Sequence, residues 1–195
     1  MNTGNRRRGR ESTLQILYQL EAEENATHEM MATLPRGDEI KTHQLLPTVD
    51  KELARKATLR YFDNFSHPEK VQNTIRTMVF GIMDHIDAID GLIVEHSTKW
   101  RLDRMSLVDR NVVRIGLYEL LHHPDLDSAV IINEAVEIAK RYGTEESAAF
   151  VNGLLDKIAS ICRADANGNV DTDSSSAPDA TDADADNPPK TNSNA

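Results

Sequence analysis

"VIINEAVEIAKRYGTEESAAFVNGLLDKIA", residues 130–159, reads as two helices meeting at one point of punctuation. The first closes at Gly143, a residue able to take the left-handed conformation that ends many helices. Thr144 then offers a cap for the second, and Glu145 and Glu146 stand in its first turn, where the helix dipole favours acids. The second helix carries Val151, Leu154, Leu155, Ile158 and Ile161 at spacings of three and four, which predicts a single core-facing stripe.

The same signals recur on the N-terminal side. "SLVDRNVVRIGLYELLHHPD", residues 106–125, opens with Ser106 and Asp109 in a capping-box arrangement and stops before Pro124. A first helix is predicted from Arg7 to Glu24, then a long polar connection from Asn25 to Thr48 with a turn at Pro35 to Asp38, then a helix from Val49 to Phe65. His67-Pro68 restarts a long helix whose stripe is Val71, Ile75, Met78, Val79, Ile82, Ile86, Ile89 and Ile93, with Pro68 placed in its first turn. No strand-like alternation bounded by hairpin turns and no internal repeat interrupts the pattern, so the fold class is all-α, with about seven helices.

From Ala164 onward the composition changes to Asp, Ala, Ser, Asn and Pro, with Val170 the one large aliphatic. Such a segment cannot bury enough apolar surface to offset its ordering entropy, so we divide the chain into a helical domain, 1–163, and a disordered acidic tail, 164–195. One lysine and seven aspartates give the tail −6 of the total charge of −10, which leaves the domain only mildly acidic. Cys162 is the one cysteine, so no internal disulfide forms. With no apolar run near the ~20 residues a membrane span needs and no signal-peptide core, the expected compartment is the cytoplasm.

The chemistry of catalysis is missing. None of the nine glycines stands in a G-x-G pair, and there is no Walker lysine motif. His122 and His123 are adjacent, which on a helix points them about 100° apart, and zinc wants three or four convergent ligands, so neither a metal nor a cofactor is expected. The acids of "DHIDAID", Asp84 to Asp90, read as a solvated face opposite Ile82, Ile86 and Ile89.

"RRRGRESTLQILYQLE", residues 6–21, poses the functional question, because cations at a helix start oppose its dipole. Three readings stand: a loose basic end, intrachain pairing with Glu11 and its neighbours, or contact with nucleic acid. At 100° per residue Arg7, Glu11 and Tyr18 fall within about 40° of one another along roughly 16 Å, an arrangement that suits phosphates on the guanidinium groups and a base on the ring. Glu11 would pair with Arg7 or Arg8, while Tyr18 either packs beside Leu14 and Leu17, the commoner fate, or faces solvent. Phe150 and Asn152 lie near opposite edges of the last helix's stripe, and Tyr142 sits on the shoulder of the preceding helix.

With these residues in view, the chain resembles the NusB family of bacterial transcription antitermination factors. The resemblance is densest in residues 6–21, in "VDRNVVRIGLYELL" (108–121) and in residues 130–159. It implies two small helical bundles, no catalysis, and binding of boxA-type single-stranded RNA in ribosomal RNA leader transcripts together with NusE, a ribosomal protein, in an RNA polymerase antitermination complex. Arg6, Arg7, Arg10 and Tyr18 match RNA-contacting positions of the family, as do Tyr142, Glu146 and Phe150, and Asn152 joins them as a candidate. Asp109 matches an acidic partner-binding position. The 25–48 connection and the acidic tail depart from the family pattern, and the tail either adds solubility or transiently covers the arginines. A non-RNA docking or self-associating helical module is the alternative, and the choice between monomer and homodimer is open.

Overall fold

A computed structural model describes residues 3–32, 51–97 and 105–168. Within them the chain forms seven helices and no strand: α1 (Thr3–Ala32), α2 (Lys51–Asn64), α3 (Glu69–Asp84), α4 (Ile86–His96), α5 (Leu107–His122), α6 (Ser128–Tyr142) and α7 (Ser147–Gly168). Helices α1 to α3 pack on one another as one bundle and α4 to α7 as a second, with α5 also lying against α1 and α3. One continuous core spans both bundles, through Ile16, Leu20, Ile75, Ile82, Ile93, Ile115, Leu117, Leu155 and Ile158.

Helix α5 is buried all round from Arg110 to Glu119, the signature of a central helix. Its polar residues therefore need partners inside the protein. Glu21 of α1 accepts from Arg110 Nη2 at 3.2 Å and from Asn111 Nδ2 at 2.8 Å, and also pairs with Arg114. Arg114 in turn donates to both oxygens of Asp90 on α4, at 2.7 and 2.6 Å. Burial opposes charge on Arg114, yet the Asp90 hydrogen bond and the Glu21 and Asp90 charges outweigh it and hold the guanidinium pKa above its usual value. Asp90 thus departs from the expected solvated face, while Asp84 pairs with Lys51 at 2.5 Å and Asp87 is exposed.

Several boundaries differ from expectation. The single helix predicted after Pro68 breaks at His85, where φ −118° and ψ 16° let one N–H donate to both Gly81 and Ile82 carbonyls at 3.2 Å. Its stripe continues across the break, because Ile89 and Ile93 are fully buried. Helix α1 runs on to Ala32, in keeping with the helix-favouring Glu, Ala and Met of that stretch; residues 33–48 of the predicted connection lie outside the described residues. Helix α7 extends to Gly168, and the tail beyond it is likewise outside them.

Ser106 caps α5 as expected, accepting from Asp109 N–H at 3.0 Å. Gly143 closes α6 with extended backbone, φ −96° and ψ −163°, rather than the left-handed conformation. Its value is space: a Cβ there would lie 2.6 Å from Ser147 Cβ and 2.8 Å from the Ala139 carbonyl. Thr144 N–H donates to Ser147 Oγ at 2.8 Å, so the turn holding Glu145 and Glu146 precedes the helix instead of forming its first turn. Ile161, assigned to the stripe of α7, is 36% exposed at the end of the core.

Candidate functional site

The N-terminal arginines project from α1 in different directions, and the helix phase decides what each meets. Arg10 falls on the arc of Leu14 and Leu17, and its side chain is 2% exposed. There its Nε donates to Glu119 of α5 at 2.7 Å and its Nη1 to Glu134 of α6 at 3.3 Å. The expectation that Arg10 contacts a ligand directly meets this geometry as a correction: a buried charge must be paired, and the pairing takes Arg10 out of solvent.

Arg7 forms a bidentate pair with the same Glu134, Nε to Oε2 at 2.9 Å and Nη2 to Oε1 at 2.6 Å, and keeps about half its side chain exposed. The Glu134 hydrogen bond and charge raise its pKa further above the usual value. Arg6 reaches Asp125 at 3.8 Å, a loose contact with a largely exposed carboxylate. Arg8 is exposed and makes no hydrogen bond or ion pair with any described residue. Sequence reasoning passed over Arg8, although its position outside the apolar arc of α1 was readable from the same helical phase that buries Arg10.

Glu11 pairs with Arg141 of α6 at 3.0 Å, not with Arg7 or Arg8 as expected, because α6 lies alongside this face. The two helices border a groove of about 300 Å³ lined by Arg7, Glu11, Glu137, Ile138, Lys140 and Arg141. Tyr18 is 45% exposed on the same face of α1, which settles its alternatives in favour of the open ring. Tyr142 is exposed at the end of α6, with the Arg141 guanidinium 5.3 Å from its ring centre.

A second cluster forms where α5 begins and α6 turns into α7. Met105, Ser106, Asp109, Thr144, Glu146 and Phe150 border a cavity of about 210 Å³ together with Ser147. Three candidate residues from separate stretches of sequence thus converge: Asp109, Glu146 and Phe150. Phe150 is half-buried against the core and Glu146 exposed. Asp109 Oδ1 is buried with no hydrogen-bond partner among the described residues. Asn152 is exposed but about 160° round α7 from Phe150, and it does not border this cavity.

Together these features define an all-helical binding protein, with charge and open aromatic rings presented along a groove. The sequence pattern of the NusB family matches residues 7–160, and the chain belongs to that family. It is 46% identical over 156 residues to the transcription antitermination protein NusB of Myxococcus xanthus, covering 80% of this chain and 95% of that one. Among solved structures it is similar to Thermotoga maritima NusB, with a TM-score of 0.59, 35% identity, and coverage of 80% of this chain and 90% of that one. It also shares its fold with a crystal structure of antitermination factors NusB and NusE in complex with dsRNA, at a TM-score of 0.57 and 21% identity, covering 82% of this chain and 99% of that one. The protein is a transcription antitermination factor of NusB type.

Proposed function

We propose that this protein binds a boxA-type single-stranded RNA of ribosomal leader transcripts together with NusE, and so helps RNA polymerase pass terminators in the cytoplasm by binding alone. The observation that carries the reading is the exposed strip of α1, where Arg7 and Tyr18 share one face, Arg8 lies on the adjoining one, and α6 brings Arg141 and Tyr142 alongside. Phosphates take the guanidinium groups and unpaired bases take the rings. Arg6, Arg7, Tyr18, Tyr142, Glu146, Phe150 and Asn152 are the proposed RNA contacts and Asp109 the NusE contact. Arg10 acts as a positioning residue, holding α1 against α5 and α6.

The carboxylates along the groove do not argue against this. Exposed ion pairs are worth about 0–1 kcal/mol, so a phosphate can replace Glu11 on Arg141, while Arg7, held by Glu134, meets a phosphate with its exposed half. A mobility-shift titration with the organism's own leader RNA, alone and with NusE, tests the proposal. Binding should weaken with salt by about 0.7 log units per phosphate neutralised, favour single strand over duplex, and fall on Tyr18→Ala. Salt-independent binding, or equal affinity for the duplex, would count against it.

A further inference from the structure

The corner between α2 and α3 holds an aromatic ladder that the proposed RNA contacts do not use. Tyr61 stacks with Phe65, at 4.7 Å between ring centres, and with His67, at 5.8 Å with the planes only 8° apart. Tyr61 itself is buried, but Phe65 is 52% exposed, a large fraction for a phenylalanine already stacked on one face. Burying an aromatic ring is strongly favourable, so a stacked ring left this open is a surface awaiting a flat partner.

Three observations join this ladder to the groove. The Tyr61 hydroxyl donates to Gln15 Oε1 at 2.9 Å and lies 3.0 Å from Ser12 Oγ, which docks it on α1. Arg8 is close enough to His67 that its charge, after burial, helps lower the imidazole pKa. By helical phase the exposed strip of α1 runs from Arg7 and Glu11, which reach α6, round to Gln15 and Arg8, which border α2. The strip therefore has two borders, Arg141 and Tyr142 on one and Tyr61 and Phe65 on the other. Asp63, the acid next in sequence on α2, is about 160° round the helix from Tyr61, so it does not oppose a phosphate on this side.

We propose that Phe65, stacked on Tyr61, is a second base-stacking platform of the RNA groove, with Arg8, exposed on the side of α1 that borders α2, holding a phosphate of the same strand. This rests on the RNA-binding reading above and extends the path of the strand from α6 across α1 to the corner of α2. An unpaired nucleic acid fits this combination better than a protein segment does, since an exposed guanidinium and an open ring on one surface match a phosphate and a base of one strand.

Fluorescein-labelled oligouridylates of about 6 and about 12 nucleotides, lengths that bracket common single-strand site sizes, test it by anisotropy. Wild type should gain affinity on lengthening, and Phe65→Leu should lose between about 5-fold and 100-fold on the longer RNA only, with an unchanged salt slope. Arg8→Ala should lower the slope by about 0.7. Phe65→Trp should retain affinity and show quenching of its added emission on the longer RNA, a readout that a purely structural role for the ring would not give. Equal binding of wild type and Phe65→Leu at both lengths would overturn the platform while leaving the RNA reading intact. Equal binding accompanied by a change in sedimentation would assign the corner to a second copy of the chain and also overturn it. Failure of wild type to bind either RNA would overturn the platform as a sequence-independent contact, and the leader-RNA titration with NusE would decide the RNA reading separately.

Discussion

Arg10 and Glu119 face each other across the α1–α5 contact at 2.7 Å, with side chains 2% and 5% exposed. The functional strip of α1 is anchored by this buried pair, and Glu134 ties the same guanidinium to α6 at 3.3 Å. Removing one partner leaves an uncompensated buried charge. Arg10→Ala should therefore lower unfolding stability by about 3–5 kcal/mol in urea titration, whereas joint replacement, Arg10→Met with Glu119→Leu, should recover much of the loss. Equal losses in the single and double variants would show that the pair is not the anchor.

Glu11 neutralises Arg141 at the edge of the groove through an exposed contact of 3.0 Å. Glu11→Gln should free that guanidinium and raise affinity for single-stranded RNA several-fold near 50 mM salt, with the advantage shrinking as salt screens the added charge. Anisotropy titrations at two ionic strengths measure it. A gain that persists undiminished at high salt would contradict an electrostatic origin.

Gly81 lies where α3 meets α5, and an added Cβ would overlap the ring and hydroxyl of Tyr118. The Tyr118 ring is rigid and its hydroxyl donates to the Thr77 carbonyl at 3.4 Å, so it cannot simply swing aside. Gly81→Ala should cost about 1–3 kcal/mol, the usual penalty of overpacking, and outweigh the better helix propensity of alanine. Thermal unfolding followed by circular dichroism gives the comparison.

His122 stacks on His85 at 4.2 Å between ring centres. Burial, followed by the neighbouring His85 and His123, lowers its pKa, and burial and Arg8 do the same for His67. An imidazole that binds its proton less readily when folded gives stability that is present in full above the unfolded value of about 6.5 and is lost as the pH falls through and below it. Urea midpoints should thus decline from pH 7.5 to pH 5.5, and His122→Gln should flatten the decline. A midpoint rising with acidity in this window would reverse the sign.

Much of the fold is legible from local pattern. Ser106 announces the start of α5, Gly143 the end of α6, and the spacing of Val151, Leu154, Leu155 and Ile158 the buried face of α7, because caps and amphipathic stripes are encoded within a few residues. The break at His85 is not, since the apolar spacing runs through it unaltered and only the backbone hydrogen bonds change.

The site divides along the same line. That α1 carries cations and an aromatic ring on adjoining faces, and that residues 130–159 form two helices around a turn, follows from the sequence alone, because side-chain direction on a helix depends only on position along it. Which carboxylates meet the inward-turned arginine does not follow. Helical phase turns Arg10 toward the core and Arg8 away from it, but Arg10 can stay charged there because Glu119 and Glu134, more than 100 residues away, arrive beside it. The convergence of Asp109 with Glu146 and Phe150, and the approach of Arg8 to His67, were likewise decided by tertiary packing, since the burial of a charge and the opening of a ring depend on what the rest of the chain brings against them.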